Sequence, residues 1–292
     1  KDVFIGGDLA TVTSGTSNLT LGVNAGDSIA SGGNYNVCVG DEAGTALTTG
    51  DDNVLIGYGA GDGFDLEGQN VGIGSNSLGG ASYAAAANTA VGYQTGLAIT
   101  SGTANVAIGA YCLDANTSAS GQTAVGYGAL SSTQTGAQTT AVGYLALNQA
   151  LEDNNTAVGY AAMQGCTAGE NNVAVGHSAL DATLIADFNV AVGVGALSTA
   201  TEGHSNTAVG YLAGRDINTG TLNTAVGAYA GIQMTTCASN VLVGVNAGYA
   251  LQTGANNVAV GHNALYTAAT SSNQIAIGYG ALQLANNTSN SN

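Results

Sequence analysis

The chain has 292 residues, 46 of them Gly, with no Pro, no Trp and only 3 Phe, and its 18 acidic residues face just Lys1 and Arg215. This is not the composition of an ordinary globular enzyme, and a net charge of −16 repels nucleic-acid phosphates and anionic membrane surfaces alike. β-Branched residues recur throughout, which argues against disorder. No apolar run reaches the roughly 18 residues a membrane span needs, so no membrane insertion is expected.

In chain order, the opening KDVFIGGDLA is not a signal peptide; it already reads as a repeat, as expected of a mature form or a fragment. A glycine preceded by Val, Ile or Leu then recurs as an anchor: Gly6, Gly22, Gly40, Gly57, Gly74, Gly92, Gly109, Gly126, Gly143, Gly159, Gly176, Gly193, Gly210, Gly227, Gly244, Gly261 and Gly278. The spacing is 17 with four exceptions, 16 before Gly22 and Gly159 and 18 before Gly40 and Gly92. Residues 1–285 read as one continuous repeat array, and 286–292 as a polar tail or a link to further sequence. Neither end shows a polar cap, so another subunit or more chain is expected to stack there.

Aligned on the anchor, the coils share N-[VT]-A-[VI]-G-Y-x-A-[GL], followed by about eight variable residues. Asn stands four before the anchor in 13 of 17 coils, replaced by Asp2, Gln122, Thr139 and Gln274 in the others. The segment ending at the anchor is β-branched and alternating, which predicts a strand. The anchor glycine either adopts a φ that a side chain would forbid or lets backbone pass close by. The A-[GL] pair predicts a second short strand or a corner, and the Gly-, Ser-, Thr-, Asn- and Asp-rich arc predicts turns.

A helix is excluded because Gly and β-branched residues stand where helix formers would be needed. A propeller is excluded because 17 residues cannot supply four strands per blade. The fold class is therefore all-β: a parallel β-solenoid, or β-roll, of about 17 coils with a 17-residue period. At about 4.8 Å per coil this predicts a rod on the order of 80 Å long. Equivalent residues should stack, with Asn155 directly beneath Asn172, the asparagines bonding from coil to coil and the tyrosines forming a half-exposed column. In each strand [VT] and [VI] share one face and Ala the other. Both faces lack charge, so one should cover the coil's interior and the other a partner chain.

These repeats resemble the head repeats of trimeric autotransporter adhesins and similar arrays in bacteriophage tail fibres. The resemblance is carried by NTAVGY at 88–93, 155–160 and 206–211, NVAIGA at 105–110 and NNVAVGH at 171–177 and 256–262. It covers nearly the whole chain, although the adhesin coil is shorter. It implies a left-handed β-roll, a homotrimer, and a place on a virion or cell-surface appendage, and it brings no catalytic residues.

The remaining chemistry is sparse. Cys38, Cys112, Cys166 and Cys237 form no C-x-x-C pair, lie too many coils apart to bridge, and read as small buried apolar residues. His177 and His262 occupy the tyrosine position and His204 lies in an arc, so none reads as a ligand. The acidic arcs Asp41-Glu42, Asp51-Asp52 and 62–67 read as solvated surface, with Ca²⁺ as the alternative. No catalytic, cofactor-binding or metal residue is assigned, and no enzyme activity or cofactor is expected. The expected function is an extracellular fibre component, structural or adhesive, that associates with itself as a trimer or head to tail. A cell-surface glycan or receptor is its expected outside partner, and an ice- or carbohydrate-binding solenoid is the alternative.

Overall fold

The structure, a computed structural model, describes residues 13–80, 84–132, 138–149, 153–182 and 185–284. The coil anchored at Gly6 and the 286–292 tail lie outside the described residues. The chain divides into two compact units, Lys1–Ala137 and Gln138–Asn292. The first contains β1 (Leu19–Leu21), β2 (Val37–Val39), β3 (Val54–Ile56), β4 (Val71–Ile73), β5 (Thr89–Val91), β6 (Val106–Ile108) and β7 (Thr123–Val125). The second contains β8 (Thr140–Val142), β9 (Thr156–Val158), β10 (Val173–Val175), β11 (Val190–Val192), β12 (Thr207–Val209), β13 (Thr224–Val226), β14 (Val241–Val243), β15 (Val258–Val260) and β16 (Ile275–Ile277). Within each unit every strand pairs in parallel with the next in chain order, which makes the chain a parallel β-solenoid with a period of about 17 residues.

Each strand is three residues long, shorter than the alternating segment suggested. The residue before the Asn sits at positive φ, as at Tyr35 (59°) and Asn171 (58°), so the extended run begins only after that corner. At the other end the anchor glycine takes φ between 120° and 144° in all sixteen described coils. Both sequence readings of this glycine hold: a Cβ on Gly57 would also meet the carbonyl oxygen of Gly74 at 2.5 Å. The A-[GL] segment is a corner and not a second strand, because the residues two and four after each anchor are left-handed, for example Leu145 (52°) and Leu147 (48°).

A left-handed leucine costs roughly 1–2 kcal/mol. Burial offsets it: Leu113, Leu130, Leu147, Leu180 and Leu197 are fully buried, and burying one such side chain contributes about 1.5–3 kcal/mol. Where glycine holds the fourth position instead, a bulky residue three further on fills the same core. Gly44 is followed by Leu47, Gly61 by Phe64, Gly214 by Ile217, and Gly231 by Met234. Where the fourth residue is Leu197 or Leu265, the later one is only Ala200 or Ala268. A Cβ on Gly231 would run into the Met234 Sδ at 3.1 Å, so the two positions compete for one volume.

The asparagine column closes each coil and joins it to its neighbours. Asn206 donates Nδ2–H to the Gly220 carbonyl at 2.8 Å, which closes its own coil. Its backbone N–H and Nδ2–H both donate to Asn189 Oδ1, at 2.8 and 3.2 Å. Its own Oδ1 accepts the same pair from Asn223. Asn172 donates to Asn155 Oδ1 at 2.9 and 3.3 Å, the stacked neighbours that the repeat spacing demands.

Candidate functional site

With the core filled from the Ala face of each strand and from the A-[GL] corner, two surfaces remain that can meet a partner. The first is the outer face of the strands. Ala90, Ala124, Ala174, Ala208 and Ala259 are buried, so their [VT] and [VI] neighbours point outward. Ile108, Val175, Val241 and Val260 are 36–43% exposed. Within each unit these residues form an in-register array without a charge, because every strand offers only Val, Ile, Thr or Leu outward. The alternation was legible in the sequence. Which face turns inward was not: the central residue of each strand, usually Ala, packs inside, and the β-branched residues on either side of it face out.

The second surface is the aromatic column. Tyr144, Tyr160 and His177 stack at 5.1 and 5.0 Å with ring planes within 8°. His262 and Tyr279 stack at 5.3 Å, while Tyr249 and Tyr266, five residues after their anchors, make a separate stacked pair at 5.0 Å. Tyr93, Tyr111 and Tyr127 instead meet edge to face at 5.4 and 5.5 Å. Tyr111 is informative because its coil has Ala110 at the usual ring position and supplies the ring one residue later. Tyr229 does the same after Ala228, meeting Tyr211 at 5.2 Å. The ring column is therefore conserved in space where the consensus position is lost, and the Ala-Tyr dipeptides were its overlooked signal. The rings are about half exposed, with Tyr93 at 46% and Tyr160 at 53%.

The acidic arcs are tied to the backbone. Asp41 Oδ1 accepts the Val23 N–H at 3.0 Å, Asp51 Oδ1 the Asn34 N–H at 2.6 Å, and Asp187 Oδ1 the Glu170 N–H at 2.9 Å, each bridging neighbouring coils. Glu67 turns back to accept the N–H groups of Asp65 and Leu66. Among the described residues no group of three or more His, Cys, Asp or Glu could hold a metal ion. Burial pushes the carboxyls of Asp62, Asp114 and Asp181 up from the usual range.

His204 accepts the Asp187 N–H through Nδ1 at 2.9 Å, and His177 and His262 are members of the ring column. All four cysteines are buried, and none of them forms a disulfide. Burial pushes the Cys38 thiol up to about 11 and the Cys237 thiol up to about 12, which leaves both as neutral packing groups. The described residues enclose no pocket, and no helix among them is long and apolar enough to cross a membrane. No protein-family model matches the chain, and no curated protein or solved structure is detectably similar to it.

Proposed function

We propose that the chain is a non-catalytic structural and adhesive component of a fibre, the rod or shaft of a virion tail fibre or of an extracellular surface filament, working as a homo-oligomer. The observation that supports this reading best is the charge-free β-branched array on the outer strand face. Completing the burial of one half-exposed Val or Ile contributes on the order of 1 kcal/mol. Summed over the strands of one unit, this is comparable to the roughly 4–15 kcal/mol that association costs. The acidic residues lie outside the strands, so two copies can meet on this face while their negative charges stay apart. The resemblance of NTAVGY and NVAIGA to adhesin-head repeats points to three copies and to an exterior surface.

The mass of the chain in solution, with and without crosslinking, tests this. The expected result is an oligomer, with Ile108→Lys and Val175→Lys each shifting the mass toward monomer while the circular dichroism spectrum is retained. A wild-type monomer at every concentration overturns the reading. A second reading, ice binding, is favoured by the regularity of the same array, in which Thr89, Thr123, Thr156 and Thr207 share a column with Val. Freezing hysteresis that is abolished by Val175→Lys would establish it.

A further inference from the structure

The aromatic column is interrupted, and two of its gaps are built alike. In the first unit Tyr58 and Tyr93 flank a coil whose equivalent residue is Ser75. In the second, His177 and Tyr211 flank Val194, which is 46% exposed. In both cases the coil with the first ring carries an aspartate four residues later, Asp62 and Asp181 respectively. Rings in adjacent coils stand 5.0–5.5 Å apart. With one rung missing, the flanking rings leave a slot of about 10 Å, twice the coil spacing.

The width selects the guest. A flat aromatic molecule in van der Waals contact with both walls spans only about 7–8 Å, at roughly 3.5–4.0 Å per contact, and would touch one wall at a time. A pyranose chair is somewhat thicker, because its axial C–H bonds project from both faces, and comes nearer to bridging the two rings. An aspartate follows the first ring of each pair by four residues in sequence. Asp62 Oδ1 is buried without a hydrogen-bond partner. Asp181 accepts from the Ser178 hydroxyl and lies close enough to His177 to feel its charge.

Beside Tyr211 lies Arg215, one of the chain's two basic residues, its charge already met by Asp216 through bonds of 2.6 and 2.7 Å. With Arg215 occupied and an aspartate in the coil of each first ring, an acidic sugar would be repelled.

We propose that Tyr58–Ser75–Tyr93 with Asp62, and His177–Val194–Tyr211 with Asp181, are two open slots that each take one neutral pyranose ring between two aromatic side chains. This rests on the adhesive part of the function proposed above. Two slots per chain, multiplied by self-association, turn weak single contacts into avidity for a polysaccharide surface.

The column supplies its own plug. Tyr160 fills the equivalent rung between Tyr144 and His177, so Ser75→Tyr and Val194→Tyr should complete the column without disturbing the fold. The test is saturation-transfer NMR and calorimetry on the full chain with cellotetraose and mannotetraose, with tetragalacturonate as the acidic probe and indole as the flat one. A neutral oligosaccharide should bind. Each single plug should halve the stoichiometry, and the double plug should weaken binding about tenfold or more, while mass and melting temperature stay unchanged. Asp62→Asn with Asp181→Asn should weaken it severalfold. Absence of binding by both neutral probes, binding that survives the double plug, or stronger binding of tetragalacturonate or indole would overturn the proposal. Because the double variant keeps its oligomeric mass, failure here is separable from failure of the fibre reading.

Discussion

The two units stack the same coil with different regularity. In the first, two steps between anchors have 18 residues, and the strand pairs shift with them, Leu19 opposite Val37 and Val71 opposite Thr89. In the second, the step is 17 everywhere after Gly159. The asparagine bonds hardly notice: Asn36 N–H reaches Asn18 Oδ1 at 2.8 Å across 18 residues, and Asn189 N–H reaches Asn172 Oδ1 at 2.9 Å across 17. The first unit also holds eleven acidic residues and Lys1, a net −10, against seven and Arg215, a net −6, in the second. Its tyrosines meet edge to face where several in the second unit stack. Register therefore resides in the strand and the asparagine, and the arc absorbs extra length and charge.

The severest way to break this equivalence is to charge the column. Asn206→Asp would lose the donor to Gly220 and set a carboxylate against the Asn189 oxygen, at a cost of about 3–5 kcal/mol. Asn88→Asp should cost as much in the first unit if the column does the same work in both. Such a buried carboxyl is raised in the fold, so the loss should shrink as the pH falls toward its protonation, which melting curves at several pH values would show. Unequal losses in the two units would show that the regular unit depends on its column more.

The core exchange should give the next largest effect. Leu197→Ala should cost about 2–4 kcal/mol through its cavity. Leu197→Gly with Ala200→Ile, which copies the Gly214–Ile217 arrangement, should recover more than half of that in chemical denaturation. The mirror pair in the first unit, Gly61→Leu with Phe64→Ala, should likewise exceed Phe64→Ala alone in stability.

The thiols give a smaller, pH-dependent effect. Their folded pKa values are raised, so the protonated state favours folding and its contribution is complete below the ordinary thiol value. It is lost as the pH rises from 9.0 toward about 11 for Cys38 and about 12 for Cys237. Alkylation below that window should label neither thiol until the chain unfolds. The mildest test is one glycine inserted after Thr253 in the second unit's arc, imitating the long steps of the first. Loop length costs little, so the expected loss is about 1 kcal/mol or less, whereas a glycine inserted between Ala208 and Val209 should destroy the register.

The sequence by itself determined the period, the strand, the parallel stack and the asparagine neighbours, because a residue repeated every 17 positions lies over its own copy when coils stack. It also placed the half-exposed ring column. Only the tertiary structure decided which strand face turns inward, that Leu147 and its equivalents sit at positive φ, and that Tyr111 and Tyr229 join the column from a shifted position. The missing rungs at Ser75 and Val194 likewise mean nothing until the neighbouring coils are in place. These are properties of volume and direction inside a closed coil, where local conformational preference yields to packing against the coils on either side.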